Sequence, residues 1–219
     1  PKEPVEVTFA SLVDDERLLE AIAALGWKMP TPVQVQALPF TLNGKDVCAF
    51  AQTGTGKTGA FAIPMLSALY HRPGKLGLIL APTRELATQI EEETRKFASP
   101  MGIRCVAIVG GESIQDQGFL LGKGAEIVIA TPGRMFDCIE RRFLVLDQCN
   151  YIVLDEADRM LDMGFAPQIK TILQTVPKQR QTMLFSATMP QEIIQIANSY
   201  MQLPVRVEVA PAGTSSQNI

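Results

Sequence analysis

A short apolar run, Val47–Ala51, passes straight into Gln52-Thr53-Gly54-Thr55-Gly56-Lys57-Thr58, with a helix predicted behind it. Strand, glycine-containing loop and helix in that order constrain the fold more than any other feature of the chain, because this is the context in which a loop wraps phosphate. Gly54 and Gly56 let successive backbone N–H groups converge on phosphate oxygens, and the helix adds the positive end of its dipole. Lys57 is then expected to reach the β- and γ-phosphates, and the Thr58 hydroxyl to ligate Mg²⁺. Ala51 stands where the general GxxxxGK[ST] pattern has its first glycine. A glycine-rich turn beside a surface lysine is the plain alternative.

The same alternation recurs along the chain. β-rich apolar runs occur at Val47–Ala51, Leu76–Ala81, Arg104–Val109, Glu126–Ala130, Tyr151–Leu154, Thr182–Phe185 and Val205–Val209. Longer helical patterns separate them, which predicts an α/β fold of βα units around a parallel sheet. Several runs are apolar on both faces, as buried parallel strands are. Asp14–Leu25 reads as a helix that acidic residues open and Gly26 ends. Another is predicted from Thr188, where Thr188 and Gln191 have capping-box spacing and Ile193, Ile196, Ala197 and Tyr200 recur at helical intervals. Glu91–Lys96 reads as the solvated face of a helix whose Leu86, Ile90 and Phe97 point inward. His71, within Tyr70–Gly74, reads as a solvated loop residue without chemistry.

With 219 residues, 47% of them hydrophobic, the chain has material for one sizeable core. No run approaches the ~18 apolar residues of a membrane span, and Pro1–Pro4 lacks the order of a signal peptide, so a soluble protein without a membrane partner is expected. Cys48, Cys105, Cys138 and Cys149 have neither metal-ligand nor redox spacing and are expected as reduced core residues with no disulfide partner. Ala210–Ile219 reads as the start of a linker. The net charge of −3 argues against coating nucleic acid by bulk electrostatics.

A hydrolase of nucleoside triphosphates needs an acid beside Mg²⁺, and the strand Tyr151–Leu154 runs into Asp155-Glu156-Ala157-Asp158. Ligands of open α/β sheets bind at this carboxyl edge. Asp155 is expected in the Mg²⁺ shell, and Glu156 is expected to orient or deprotonate the attacking water. A helix start decorated with acids is the alternative for this segment in isolation.

These residues resemble the DEAD-box RNA helicase family, whose name-giving motif is Asp155-Glu156-Ala157-Asp158 and whose usual phosphate loop is Ala51–Thr58, Ala51 being the family's own variant. The likeness extends through Phe9, Gly26–Gln34, Pro82–Ala87, Gly110-Gly111, Thr131–Arg134 and Ser186-Ala187-Thr188. It implies a RecA-like P-loop NTPase domain, a mainly parallel sheet with helices on both faces. The divisions would be a flank with the adenine-recognition motif at 1–35, the RecA-like core at 36–209 and an interdomain linker at 210–219. Gln34 would read the adenine edge and Trp27 would stack on the ring, with Thr53, Gly54, Thr55, Gly56, Lys57 and Thr58 around the phosphates of ATP. Lys57, Asp155 and Glu156 would be the catalytic set, with Thr58 and Asp155 toward Mg²⁺.

The resemblance further places Pro82, Thr83, Arg84, Gly110, Gly111, Thr131, Gly133 and Arg134 on the RNA backbone, with Asp158, Ser186 and Thr188 coupling nucleotide state to RNA grip. Glycines permit close approach, and hydroxyls, N–H groups and arginine forks suit phosphate, so the backbone and 2′-hydroxyls would be read rather than base edges. Taken singly, Pro82-Thr83-Arg84 and Thr131–Arg134 also read as helix starts, and Thr188 as a helix cap. The strings Glu91–Phe97, Asp116–Phe119 and Leu144–Tyr151 look like the spliceosomal branch acting at the splice donor site. That implies spliceosomal protein partners and a nuclear location, with the cytoplasm as the other possibility. The family closes two RecA-like domains around ATP, and the second, with its arginine fingers, is expected beyond this chain. An ATP-gated RNA clamp without hydrolysis, a DNA-dependent ATPase and an RNA helicase of another pathway such as ribosome biogenesis remain alternatives.

Overall fold

Strands that are apolar on both faces need cover on both, and a parallel sheet between two helical layers supplies it. The computed structural model describes residues 6–52 and 56–210, and all seven expected strands are there. They are β1 Val47–Phe50, β2 Leu76–Leu80, β3 Cys105–Ile108, β4 Ile127–Ala130, β5 Cys149–Leu154, β6 Gln181–Ser186 and β7 Val205–Glu208. Every pairing is parallel and the order is β3-β4-β2-β5-β6-β1-β7. Boundaries move by a residue or two from the sequence expectation, as at β5, which begins at Cys149.

Side chains alternate across this sheet, apart from a register shift in β5 between Cys149 and Tyr151. Ile79, Ile127, Ile129, Val153 and Phe185 enter one core with helices α1 Phe9–Leu12, α2 Glu16–Ala24, α3 Pro32–Thr41, α4 Lys57–His71 and α5 Arg84–Ala98. Leu78, Leu80, Val128, Ile152, Leu154 and Leu184 enter the other, beneath α6 Ile114–Gly122, α7 Pro132–Glu140, α8 Ala157–Asp162, α9 Ala166–Thr175 and α10 Gln191–Tyr200. Each fully buried side chain of this size contributes about 1.5–3 kcal/mol. Phe9, Val13, Leu18, Ile22 and Val33 share the first core, so α1–α3 are packed on the sheet layer. Ala210 is the last described residue of the expected linker, and 211–219 lie outside the described residues.

Four expectations are corrected. The helix read as Asp14–Leu25 is Glu16–Ala24, because the Asp15 carboxylate caps it, accepting from Arg17 N at 3.0 Å and Leu18 N at 3.5 Å. The helix read from Thr188 begins at Gln191 behind Pro190, since Thr188 is bonded elsewhere. His71 closes α4 instead of lying in a loop, with Nε2 3.5 Å from Asp15 Oδ2, though its side chain is exposed. Glu91 and Thr94 are buried within the run read as solvated, and only Glu92, Glu93, Arg95 and Lys96 face water. Glu91 is paired with Arg95 one turn on, and its burial raises the carboxyl pKa against that pairing.

All four cysteines are buried free thiols, and burial pushes Cys48 up to about 11 and Cys105 and Cys149 up to about 12. Thiols so protonated are poor nucleophiles. At the sheet's amino edge, buried Asp46 ties three strands together. Its carboxylate accepts from Thr182 N at 2.8 Å, where β6 begins, and from Gln202 N at 2.7 Å, ahead of β7. Burial raises the Asp46 pKa, and these N–H groups and Arg180 oppose the rise. Asp46→Ala leaves two amides without acceptors and is expected to lower the unfolding free energy by about 2–4 kcal/mol in denaturant titration. Asp46→Asn, which keeps one acceptor, should lose less than half as much. Equal losses would show that the carboxylate's hydrogen bonds are not what holds this edge.

Candidate active site

Parallel pairing sends the carboxyl ends of all seven strands to one edge, so the site residues are gathered by strand order alone. Along that edge the sequence Gly110, Thr131, Thr83, Asp155, Ser186, Ala51 follows the ends of β3, β4, β2, β5, β6 and β1. Residues expected on RNA therefore fall on one half of the edge and the phosphate loop on the other, with the acids and Ser186 between them.

Of the phosphate loop, Thr53, Gly54 and Thr55 lie outside the described residues. Gly56 precedes α4 as its N-cap in the left-handed region (φ 76°), and a Cβ there would stand 2.5 Å from Thr31 Cγ2, so only glycine fits. Lys57 is 7% exposed, and its Nζ lies 3.6 Å from Asp155 Oδ1, beyond hydrogen-bonding length. Among the described residues that ammonium has no hydrogen-bond partner. A buried cation with open donors is a seat for an anion, which is what a phosphate supplies. Thr58, half-buried, follows it on the first turn of α4.

Asp155 is 3% exposed, and its Oδ1 accepts from Glu156 N at 3.0 Å. Burial raises its pKa, Lys57 lowers it and Glu156 raises it further, with a net rise. A cation brought to this carboxylate would favour its ionised form, so the site fits a metal as well as a phosphate. Glu156 caps α8 with φ 47° and ψ 52°, a conformation costing a non-glycine residue about 1–3 kcal/mol. Arg142 and Leu203 share a positive φ among the described residues, but only Glu156 lines the cleft. That cleft, of about 610 Å³, is also lined by Lys57, Thr58, Thr83, Asp155 and Arg159. Arg159 Nη1 stands 3.6 Å from Glu156 Oε1.

Gln34 and Trp27 lie against the start of α4. Gln34 is buried at the third position of α3, where its Oε1 accepts from Thr31 N at 3.0 Å and its Nε2 donates to Gly56 O at 2.9 Å. Each amide atom retains capacity for one more bond. Trp27 is half-buried, edge-on to Phe97 with ring centroids 5.1 Å apart. A Cβ at Gly59 would meet Gln34 Nε2 at 2.5 Å and Trp27 Cζ3 at 2.8 Å, so Gly59 lets α4 approach both. Sequence reasoning did not single out Gly59, although a glycine in the first turns of a helix signals such an approach.

The residues expected on RNA are assembled less uniformly. Pro82 is buried, and the Thr83 hydroxyl caps α5, accepting from Leu86 N at 3.2 Å. Thr83 also lines the cleft that holds Lys57 and Asp155, so it stands at the border of the two halves. Exposed Arg84 reaches the loop after β3, where a Cβ on Gly111 (φ 84°) would lie 2.6 Å from its Nη1. Arg134 Nη1 donates to Glu112 O at 2.9 Å, bringing the Thr131–Arg134 segment to the same loop. Thr131 precedes α7 without capping it, and half-buried Gly133 faces Phe165 at 3.9 Å from its Cβ position. Glu112 and Gln117, missed from sequence, hold these pieces together.

Asp158, Ser186 and Thr188 form one cluster. Asp158 Oδ2 accepts from Thr188 N at 3.0 Å and Thr188 Oγ1 at 2.8 Å, and Ser186 Oγ donates to Thr188 O at 2.7 Å. Burial pushes the Asp158 pKa up, but hydrogen bonds from Thr188, Arg159 N and Ser186 outweigh it and the net shift is downward. Thr188 thus bonds the acid motif rather than its own helix.

Residues 31–196 match the family described as DEAD/DEAH box helicase, and the chain belongs to that family. In a 238-residue alignment it is 45% identical to a Homo sapiens protein named Probable ATP-dependent RNA helicase DDX23, covering 92% of this chain and 29% of that protein. It is 42% identical, in a 235-residue alignment, to a Neosartorya fischeri protein named Pre-mRNA-splicing ATP-dependent RNA helicase prp28, covering 93% of this chain and 30% of that protein. The chain spans about three-tenths of the length of these relatives. A DEAD box protein from the hyperthermophile Methanococcus jannaschii superposes with TM-score 0.89 at 39% identity, over 94% of this chain and 57% of that one. The fold is therefore the RecA-like domain of DEAD-box proteins.

A carboxylate whose folded-state pKa is depressed contributes stability above its unfolded pKa, and that contribution is lost as pH falls through the folded value. Thr188→Val removes one of the bonds that depress Asp158. The variant should be less stable than wild type at neutral pH, and the gap should close as pH is lowered past the ordinary carboxylate value of 3.8. Thermal melts across pH measure this. A gap independent of pH would mean that Thr188 contributes by packing.

Proposed function

We propose that this chain is the ATP-binding half of an ATP-dependent RNA helicase, an RNA-stimulated ATPase that remodels RNA in pre-mRNA splicing. The observation that carries the reading is the buried Lys57 ammonium, without a hydrogen-bond partner among the described residues, facing Asp155 beside the strained Glu156. Lys57 neutralises the β- and γ-phosphates of ATP. The Thr58 hydroxyl and the Asp155 carboxylate hold Mg²⁺, which, when bound, neutralises charge developing on the phosphates during transfer. Gln34 offers its remaining donor and acceptor to the adenine edge, and Trp27 closes that end of the site.

Glu156 orients the attacking water and accepts its proton. The backbone strain at this residue keeps its carboxylate at the cleft instead of continuing the line of β5. On the other half of the edge Arg84, Gly110, Gly111, Thr131, Gly133 and Arg134 meet the RNA backbone, with Pro82 and Thr83 shaping the turn between the two halves. The Asp158–Thr188–Ser186 cluster joins β5 to β6 between them and links nucleotide state to RNA grip. A second RecA-like domain of the same protein supplies the arginine fingers and the other wall of the RNA groove. Spliceosomal proteins are its partners and the nucleus its location in this reading, which the 42% identity to a protein named as a pre-mRNA-splicing helicase supports.

In the full-length protein, single-stranded RNA should stimulate ATP turnover, and Glu156→Gln should lower the stimulated rate by about 10²–10⁴-fold with ATP affinity retained. Equal rates in the two proteins would sink the catalytic reading and leave an ATP-gated clamp. Stimulation by DNA but not RNA would sink the RNA reading. The splicing assignment has its own measurement: nuclear extract depleted of the full-length protein should accumulate unspliced precursor, and add-back should restore splicing. Undiminished splicing after depletion would move the protein to another RNA pathway.

A further inference from the structure

Gln117 is 1% exposed, and its amide is bonded at both ends. Nε2 donates to Val109 O at 2.8 Å and to Glu112 Oε2 at 3.3 Å, and Oε1 accepts from Arg134 Nη1 at 2.9 Å. The same Arg134 nitrogen donates to Glu112 O. All these partners belong to two segments, the loop following β3 and the first turn of α7. The other inward residues of α6, Ile114 and Leu121, pack in the apolar core, so the helix is anchored without Gln117. A buried polar side chain at an apolar position is retained only with its partners satisfied, and here the partners are a loop and an arginine. The loop in turn positions Arg84, whose Nη2 stands 3.7 Å from Glu112 Oε1.

We propose that Gln117 is a positioning residue for RNA binding, its buried amide locking the Gly110–Glu112 loop and the Arg134 guanidinium into one preset unit. The proposal rests on the reading of this face as RNA-binding. RNA then meets an arginine whose rotamer is already restricted, and association forgoes part of the ordering cost of a long side chain. Without the amide, Arg134 loses a charge-assisted bond and the loop loses its link through the Val109 carbonyl.

The test is a double-mutant cycle in the full-length protein, with fluorescence anisotropy of labelled single-stranded RNA in the presence of a non-hydrolysable ATP analogue. Gln117→Leu should weaken RNA binding about five- to tenfold. It should also reduce the slope of log affinity against log salt by up to about 0.7, the share of one phosphate contact on a single strand. ADP affinity should be unchanged, which reports an intact fold. In an Arg134→Ala background Gln117→Leu should add less than about twofold, because the arginine it positions is gone. Equal losses in both backgrounds, or no loss in either, overturn the proposal and leave Gln117 as core filling. Arg134→Ala without effect on RNA affinity removes the RNA reading of the face itself, a different failure. If Gln117→Leu abolishes ADP binding, Gln117→Met, which keeps the side-chain length, takes its place in the cycle under the same outcomes.

Discussion

A parallel sheet covered on both faces leaves its loops little choice of position. Backbone pairing fixes neighbours, burial forbids polar insertions within strands, and polar side chains are left to gather where strands end. In this chain that constraint lines up six functional segments along one edge in the order β3, β4, β2, β5, β6, β1. The residues proposed for nucleotide chemistry occupy one end and those proposed for RNA the other, and β5 and β6 lie between. The separation of these two groups of residues follows from strand order.

At the end proposed for the nucleotide, electrostatics is arranged in advance of ligand. Burial disfavours the charge on Asp155, and Lys57 favours it at a distance too long for a hydrogen bond. Two buried opposite charges that do not satisfy one another are poised for third parties, an anion for one and a cation for the other. Glu156 adds backbone strain at the same place, tolerated because β5 and α8 over-determine its position. The end proposed for RNA uses the opposite device. There a buried neutral amide, Gln117, completes its bonding inside the protein, with half-buried Arg134 among its partners.

Much of this was legible in the chain. The seven strands announce themselves by length and apolar character, and Lys57, Asp155 and Glu156 by motif in strand-loop-helix context. Gln117 left a weaker trace: it shares the inward face of α6 with Ile114 and Leu121, where a polar residue needs an explanation. Glu91 and Thr94 left none, since a charged run on an amphipathic helix reads as solvated and only the packing of α5 on β3 buries one of its carboxylates. His71 was misplaced because Pro73 and Gly74 signal a break that falls only after the helix has ended.

Thr188 marks the boundary between the two kinds of information. Its spacing to Gln191 is that of a capping box, and local spacing can say no more. The hydroxyl instead bonds Asp158, 30 residues away, because β5 and β6 are hydrogen-bonded neighbours and bring the two together. The sequence by itself determined the βα periodicity, the phosphate loop, the acid pair and family membership, all of which rest on residues adjacent along the chain. Strand order, the burial of Lys57 beside Asp155 and the network through Gln117 were decided by tertiary structure alone, because hydrogen bonds and desolvation act through space and short-range periodicity does not encode who meets whom.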